Sequence, residues 1–231
     1  MKNGFVKPVA IILVILFCAA ATITGFAVSA ATHSNVAYDP AAGNERIDEG
    51  SIPALRDGVW QAVYDDDSSM LFFIEDKDHS FSLINPDKGI GLPSTYAYND
   101  KIGMYKLQIA YAGNETYWRV IDNSGATATV KDENSKLITL HYLSDETFES
   151  FKFYSYDELC EMAKAQYAVE HDGTDHPNMD AKLNTDGKGL VAITAELDGE
   201  QVANYTVDIR TGIGVDDLGE TVDLSVHDAQ A

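Results

Sequence analysis

The chain has 231 residues, with 16 basic and 37 acidic side chains and a formal net charge of −21 at pH 7. A chain this negative repels nucleic acid and anionic lipid headgroups, so its charge argues against both as partners. Its two cysteines are Cys18, in an N-terminal apolar stretch, and Cys160. No disulfide is therefore expected within the rest of the chain, which is more typical of a bacterial surface protein than of a eukaryotic exported one.

A stretch without charged side chains begins at Val9 and ends at Ala31. Its length is sufficient for a helix, at about 1.5 Å per residue, to cross a hydrocarbon core of about 30 Å. Residues 1–31 are therefore predicted to be a signal or transmembrane anchor. Two lysines precede the stretch, and the positive-inside rule then predicts a cytoplasmic N-terminus and an extracytoplasmic remainder. The alternative is a secreted protein released by cleavage near Ala30, where the residues are small.

The next part of the chain is polar and then changes to strand-forming sequence. Residues 32–51 are small and polar without an apolar period and are predicted to form a flexible tether. From Gly58 onward, short runs rich in Val, Ile, Phe, Tyr and Thr alternate with turn sequences. Eight strands are predicted, at residues 58–64, 70–75, 80–84, 104–111, 116–121, 126–131, 137–142 and 149–153. Their short links indicate an antiparallel meander over residues 52–154, either a small barrel or a sandwich.

The start of the first predicted strand resembles a known family. Gly58-Val59-Trp60 is similar to the G-x-W motif that opens lipocalin-like barrels, and residues 148–153 resemble the end of their closing hairpin. The resemblance implies a barrel in which Trp60 packs at the closed end. This role is structural, so the motif indicates a fold and not a ligand.

A helix is predicted directly after the strands. Ser155 and Glu158 have the spacing of a capping box, in which each side chain accepts a hydrogen bond from the other residue's backbone amide. Downstream, three strands are predicted at residues 181–184, 190–197 and 202–209, with alternating apolar positions. The helix carries one apolar stripe that the sheet would cover, made of Tyr156, Leu159, Cys160, Ala163 and Tyr167. Residues 155–231 are thus predicted to be a small α+β module, a helix on a three-stranded antiparallel sheet.

The end of this module also resembles a known family. Residues 205–212 are similar to the closing strand and turn of PepSY-type domains, which are small α+β modules of bacterial exported proteins. An insertion at residues 171–180 departs from that pattern. The resemblance implies a modulator of an exported peptidase as one functional hypothesis.

Polar clusters offer two metal-binding hypotheses. The weak candidates for a divalent transition metal are His171, Asp172, Asp175 and His176, since imidazole nitrogen and carboxylate oxygen suit such an ion. Their spacing matches no closed zinc motif, and an exposed loop is the simpler interpretation. The acidic residues at 65–67 and 216–217 could similarly hold calcium, but neither run fits a calcium-binding loop. No cofactor is predicted.

The sequence carries no catalytic signature. It has no G-x-S-x-G elbow, phosphate-binding glycine loop, H-E-x-x-H or C-x-x-C motif, so an enzyme is not predicted. Cys160 with His141 is a conceivable nucleophile and base. However, Cys160 falls on the apolar stripe of the helix and is better interpreted as a small buried side chain.

Aromatic residues in the strand region are the remaining candidates for ligand binding. Trp118, Tyr96 and Tyr98 are predicted as possible stacking platforms for a sugar or an apolar ligand, with burial in the core as the alternative.

We therefore expect a membrane-tethered, extracytoplasmic and non-catalytic binding protein whose partner is an envelope protein, a peptide or a glycan. The alternatives are a lipocalin-like carrier of a small ligand and the peptidase modulator.

Overall fold

The computed structural model describes residues 52–109, 114–171, 173 and 176–228. The predicted anchor and the whole of the predicted tether lie outside these residues. No helix within the described ranges is long and apolar enough to span a membrane.

Eight antiparallel strands form a closed barrel in which every strand pairs with its neighbour in sequence and the last pairs with the first. This selects the barrel over the sandwich and is consistent with a lipocalin-like barrel. The strands are β1 (Gly58–Tyr64), β2 (Ser69–Glu75), β3 (Ser80–Asn85), β4 (Ile90–Asn99), β5 (Met104–Ile109), β6 (Asn114–Asn123), β7 (Thr127–Lys131) and β8 (Leu137–Ser144).

Two of the strand predictions for the barrel were wrong. Strand β4, which contains Pro93, was not predicted. Pro93 lies opposite Ser82 of β3, and because proline is rare within strands the sequence pattern there does not indicate one. Residues 149–153, predicted as the closing strand, instead form the end of a turn and a segment without regular secondary structure. Their apolar character has another cause, since the Phe151 ring packs edge-on against Phe73, with centroids 5.0 Å apart.

One end of the barrel is closed by the segment that precedes β1. The backbone amide of Leu55 donates a hydrogen bond to the Tyr105 hydroxyl (2.6 Å), and the Tyr98 hydroxyl donates to the carbonyl of Ile52 (2.7 Å). The indole of Trp60 is fully buried and donates to the carbonyl of Arg56 (2.9 Å). Trp60 thus packs at the closed end, as the lipocalin resemblance implied.

The second part of the chain is one helix on a sheet with five strands, and not three as predicted. Helix α1 (Tyr156–Glu170) comes first. The strands that follow it are β9 (Asn178–Leu183), β10 (Leu190–Leu197), β11 (Glu200–Asp208), β12 (Ile213–Asp216) and β13 (Thr221–Asp223). They pair in the order β13-β12-β11-β10-β9. The two unpredicted strands, β12 and β13, have only four and three residues, too few to show an apolar period.

The predicted start of α1 is confirmed. The amide of Glu158 donates to the Ser155 hydroxyl (3.2 Å), and the amide of Ser155 donates to the Glu158 carboxylate (2.7 Å). These reciprocal bonds satisfy amides that a helix start otherwise leaves unpaired. The helix buries Leu159, Ala163 and Tyr167 from the predicted stripe, and Tyr156 and Cys160 are partly buried beside them.

The barrel and the helix-and-sheet part share a hydrophobic cluster. One cluster fills the barrel interior. A second combines outward-facing side chains of the barrel with residues of α1 and the second sheet. From the barrel it includes Val59, Leu71, Phe73 and Ile84, each at most 4% exposed.

A buried glutamine also joins the two parts. The side chain of Gln61, on the outer face of β1, is fully buried. Its amide nitrogen donates to the carbonyl of Asn184, and its amide oxygen accepts from the backbone nitrogen of Gly189 (2.9 Å). Both partners lie in the turn between β9 and β10, so this side chain fixes the second sheet against the barrel.

Replacing Gln61→Leu is expected to lower the free energy of unfolding by about 2 kcal/mol, because the buried Gly189 amide loses its acceptor. Urea denaturation of the purified protein measures this change. The matched control is Gln108→Leu on the exposed outer face of β5, where the same substitution is expected to change stability by less than about 0.5 kcal/mol. Equal effects of the two substitutions would contradict the role of Gln61.

Candidate functional site

The end of the barrel opposite the N-terminal segment contains a cavity of about 460 Å³. Its apolar wall is formed by inward-facing side chains near the strand ends: Met70, Leu83, Leu92, Trp118 and Ile138. Deeper in the barrel, the rings of Phe72, Phe81 and Trp118 contact one another with centroids 5.0–5.7 Å apart and fill the interior. The cavity therefore occupies the open end only, and we call it the barrel mouth.

The rim of the barrel mouth is acidic. Four carboxylates and one ammonium line it, which gives a formal net charge of −3: Asp66, Asp87, Asp132, Glu133 and Lys136. They come from three turns, after β1, β3 and β7, that an up-and-down barrel brings to the same end.

Local hydrogen bonds hold two of these carboxylates in place. One oxygen of Asp132 accepts from the backbone amides of Asn134 (2.9 Å) and Lys136 (2.8 Å). One oxygen of Glu133 accepts from the Thr116 hydroxyl (2.6 Å) and the Tyr117 amide (3.3 Å). Because strand ends and a tight turn anchor them, both groups have defined positions at the rim.

The hydroxyl group of Tyr64 lies in the negative electrostatic field of the acidic residues at the barrel mouth. Its hydroxyl oxygen is buried. Burial raises the pKa of Tyr64 well above its usual range, and the negative charges of Asp132, Asp66 and Glu133 raise it further. Tyr64 is therefore neutral at physiological pH, and it lines the same cavity as these three carboxylates.

The second part of the chain completes one side of the barrel mouth. Tyr156 at the start of α1 and Leu183 at the end of β9 both line the cavity. The backbone amide of Leu183 donates to the Tyr156 hydroxyl (2.9 Å), so the two residues are fixed relative to each other. Burial raises the pKa of Tyr156 to about 12, and this group is also neutral.

The three aromatic candidates separate between the two ends of the barrel. Trp118 lines the barrel mouth, with 1% of its surface exposed. Tyr96 and Tyr98 lie at the closed end and pack on Tyr105, with ring centroids 5.4 and 4.4 Å away. Of the three, only Trp118 is at the cavity.

Of the four weak candidates for a transition-metal site, two are exposed and two lie outside the described residues. His171 and His176 are both exposed, and the ring of His171 stacks on Tyr167 at 4.0 Å. Asp172 and Asp175 lie outside the described residues. Among the residues that the structure does describe, no group of three or more His, Cys, Asp or Glu side chains could hold a metal ion.

The two acidic runs belong to hairpin turns. In the turn at residues 65–68, Asp66 accepts hydrogen bonds from the backbone and the hydroxyl of Ser68. In the turn after β12, Asp216 accepts from the amides of Leu218 (2.9 Å) and Glu220 (2.8 Å). These bonds are those of turn-stabilising aspartates.

Comparison with models of protein families found no matching family, and comparisons with curated proteins and with solved structures found no significant match. The proposals for function therefore rest on the residues of the chain itself.

Sequence reasoning did not identify the barrel mouth. Residues 65–68, 85–89 and 132–134 are among the turn sequences predicted between the strands, but they were not related to one another. The signal was present, because successive turns of a meander lie at alternating ends. Every second turn therefore meets at one end, and here those turns carry Asp66, Asp87, Asp132 and Glu133.

The thiol of Cys160 is half-buried against the shared cluster, and burial raises its pKa from the ordinary 9.0 to about 11. At pH 8 its thiolate fraction is then about 100-fold below that of an unperturbed cysteine. In a Cys18→Ser variant, where Cys160 is the one thiol, reaction with a disulfide reagent at pH 8 is expected to be at least about tenfold slower in native than in urea-unfolded protein, because the greater nucleophilicity of a high-pKa thiolate offsets part of the lower thiolate fraction. The rate should rise as the pH approaches 11. Equal rates at pH 8 would instead support Cys160 as a nucleophile.

Proposed function

We propose that this chain is a membrane-tethered, extracytoplasmic and non-catalytic binding protein, and that its barrel mouth binds a small ligand. The observation that carries the proposal is a cavity with an apolar floor and a charged rim at the open end of a closed barrel. A cavity of about 460 Å³ falls within the range of about 300–1,000 Å³ that is usual for ligand sites.

The depth of the barrel mouth bears on how a ligand would bind. In a lipocalin-like carrier a ligand would enter the barrel interior, but here Phe72, Phe81 and Trp118 fill the middle of it. A ligand would contact the partly exposed side chains of Met70, Leu83 and Leu92 and leave its other end at the rim. This favours a ligand with one apolar and one polar end over a wholly apolar one.

The location outside the membrane is proposed from the sequence. The apolar stretch from Val9 to Ala31 is long enough for an anchor, and the strongly negative remainder suits an exposed, soluble domain. Secretion after cleavage near Ala30 would leave the binding proposal unchanged. An envelope protein, peptide or glycan remains a candidate partner where one of its groups fits the barrel mouth.

The peptidase-modulator hypothesis gains no support from the fold. It depends on a PepSY-like helix on three strands, and the sheet here has five.

Filling the cavity should abolish ligand binding. Met70 points into the barrel mouth from β2, and a Met70→Trp substitution places a larger side chain in the cavity. The neutral probe N-phenyl-1-naphthylamine becomes fluorescent in apolar sites, and we expect the variant to bind it at least about tenfold more weakly than the unmodified protein.

The matched control is Leu137→Trp, at a position that is 53% exposed and outside the cavity. This variant should retain the affinity of the unmodified protein for the probe. Probe fluorescence that remains in Met70→Trp measures binding elsewhere on the chain. Equal binding by all three proteins would contradict a ligand site in the barrel mouth.

A further inference from the structure

The polar groups at the barrel mouth point to one class of ligand. The wall provides apolar contact from Met70, Leu83 and Leu92, and the rim carries a net charge of −3. A binding site whose polar groups are mostly carboxylates attracts positive charge, and partial burial strengthens that attraction relative to bulk water.

The two anchored carboxylates have unused acceptor capacity. In Asp132 and in Glu133 a single oxygen accepts both hydrogen bonds. Within the part of the chain that the structure describes, the second oxygen of each accepts none, and neither group forms an ion pair with a basic side chain. Lys136 lies at the same rim, so three of the four negative charges are not offset.

Asp66, Asp132 and Glu133 also line one cavity together with Tyr64. Asp132, Asp66 and Glu133 all raise the pKa of the buried Tyr64 hydroxyl, which lines the same cavity. A ligand atom near that hydroxyl would experience the same negative potential. The apolar floor and the acidic rim would therefore contact the two ends of a single molecule.

We propose that the ligand of the barrel mouth is a small amphipathic monocation, with an amine or ammonium group at Asp132 and Glu133 and a hydrocarbon part against Met70, Leu83 and Leu92. This inference rests on the proposed function, and it adds the chemical class of the ligand.

Three probes of equal chain length test the class of ligand: n-octylammonium, n-octanol and n-octanoate. Each is titrated into the full-length protein by isothermal titration calorimetry and by displacement of N-phenyl-1-naphthylamine. Octylammonium is expected to bind at least about tenfold more tightly than octanol, and octanoate more weakly than octanol. The preference for the cation should decrease as the salt concentration rises, because the rim is solvent-accessible.

Isosteric variants test the residues. Asp132→Asn and Glu133→Gln keep an oxygen for the local hydrogen bonds and remove the charge. Each should weaken octylammonium binding at least about fivefold and leave octanol binding unchanged. The control is Asp78→Asn, in the exposed turn between β2 and β3 at the closed end, which should change neither.

The possible outcomes separate the two proposals. Octanol or octanoate binding as tightly as octylammonium, or a cation preference that both isosteric variants retain, would overturn the cationic ligand and leave the cavity as a binding site. Failure of the naphthylamine probe and of all three octyl compounds to bind would overturn the proposed function and the ligand class together. The comparison of the three octyl compounds uses only the unmodified protein, so its result does not depend on whether a variant folds.

Discussion

The structure depends on covering the apolar outer face of β1–β3. An isolated barrel in water exposes its outer face, yet Val59, Leu71 and Phe73 there are at most 2% exposed. Burying each such side chain contributes about 1.5–3 kcal/mol, so leaving the face uncovered would be costly. Helix α1 and the second sheet supply the cover, and Gln61 adds hydrogen bonds that fix its position. The helix-and-sheet part is thus an outer layer of the barrel wall.

This arrangement also places the candidate site. Because α1 begins against the barrel, Tyr156 and Leu183 become part of the wall of the barrel mouth. The closed end has the opposite character, since the segment before β1 forms hydrogen bonds to Tyr98 and Tyr105 there. Within the described residues, no comparable segment covers the other end of the barrel, where three turns carry acidic residues. The chain has an excess of acidic residues throughout, but those at the barrel mouth adjoin apolar surface, which is the combination that a cationic amphiphile requires.

Much of the fold was predictable from sequence, because local signals decided it. Seven of the eight barrel strands, the capping box at Ser155 and the apolar stripe of α1 all follow from short-range patterns. Strand β4 was missed because Gly91 and Pro93 are residue types that strands generally exclude, and its pairing with β3 and β5 is needed to show that it is a strand. The continuous apolar run in β2 was a further signal, since strands buried on both faces lose their alternation. The barrel mouth does not follow from local patterns alone, because Asp66 and Asp132 line one cavity only when the barrel closes and β8 pairs with β1.

The central claim is that the shared hydrophobic cluster makes the barrel and its outer layer one cooperative unit. Hydrogen exchange measured by mass spectrometry at increasing urea concentration tests it, by comparing amides of β2 and β6 in the barrel with amides of β10 and β11 in the second sheet. The account predicts that both groups lose protection with the same dependence on urea, because neither part keeps its core without the other. Loss of protection in β10 and β11 at a urea concentration where the barrel amides remain protected would contradict it.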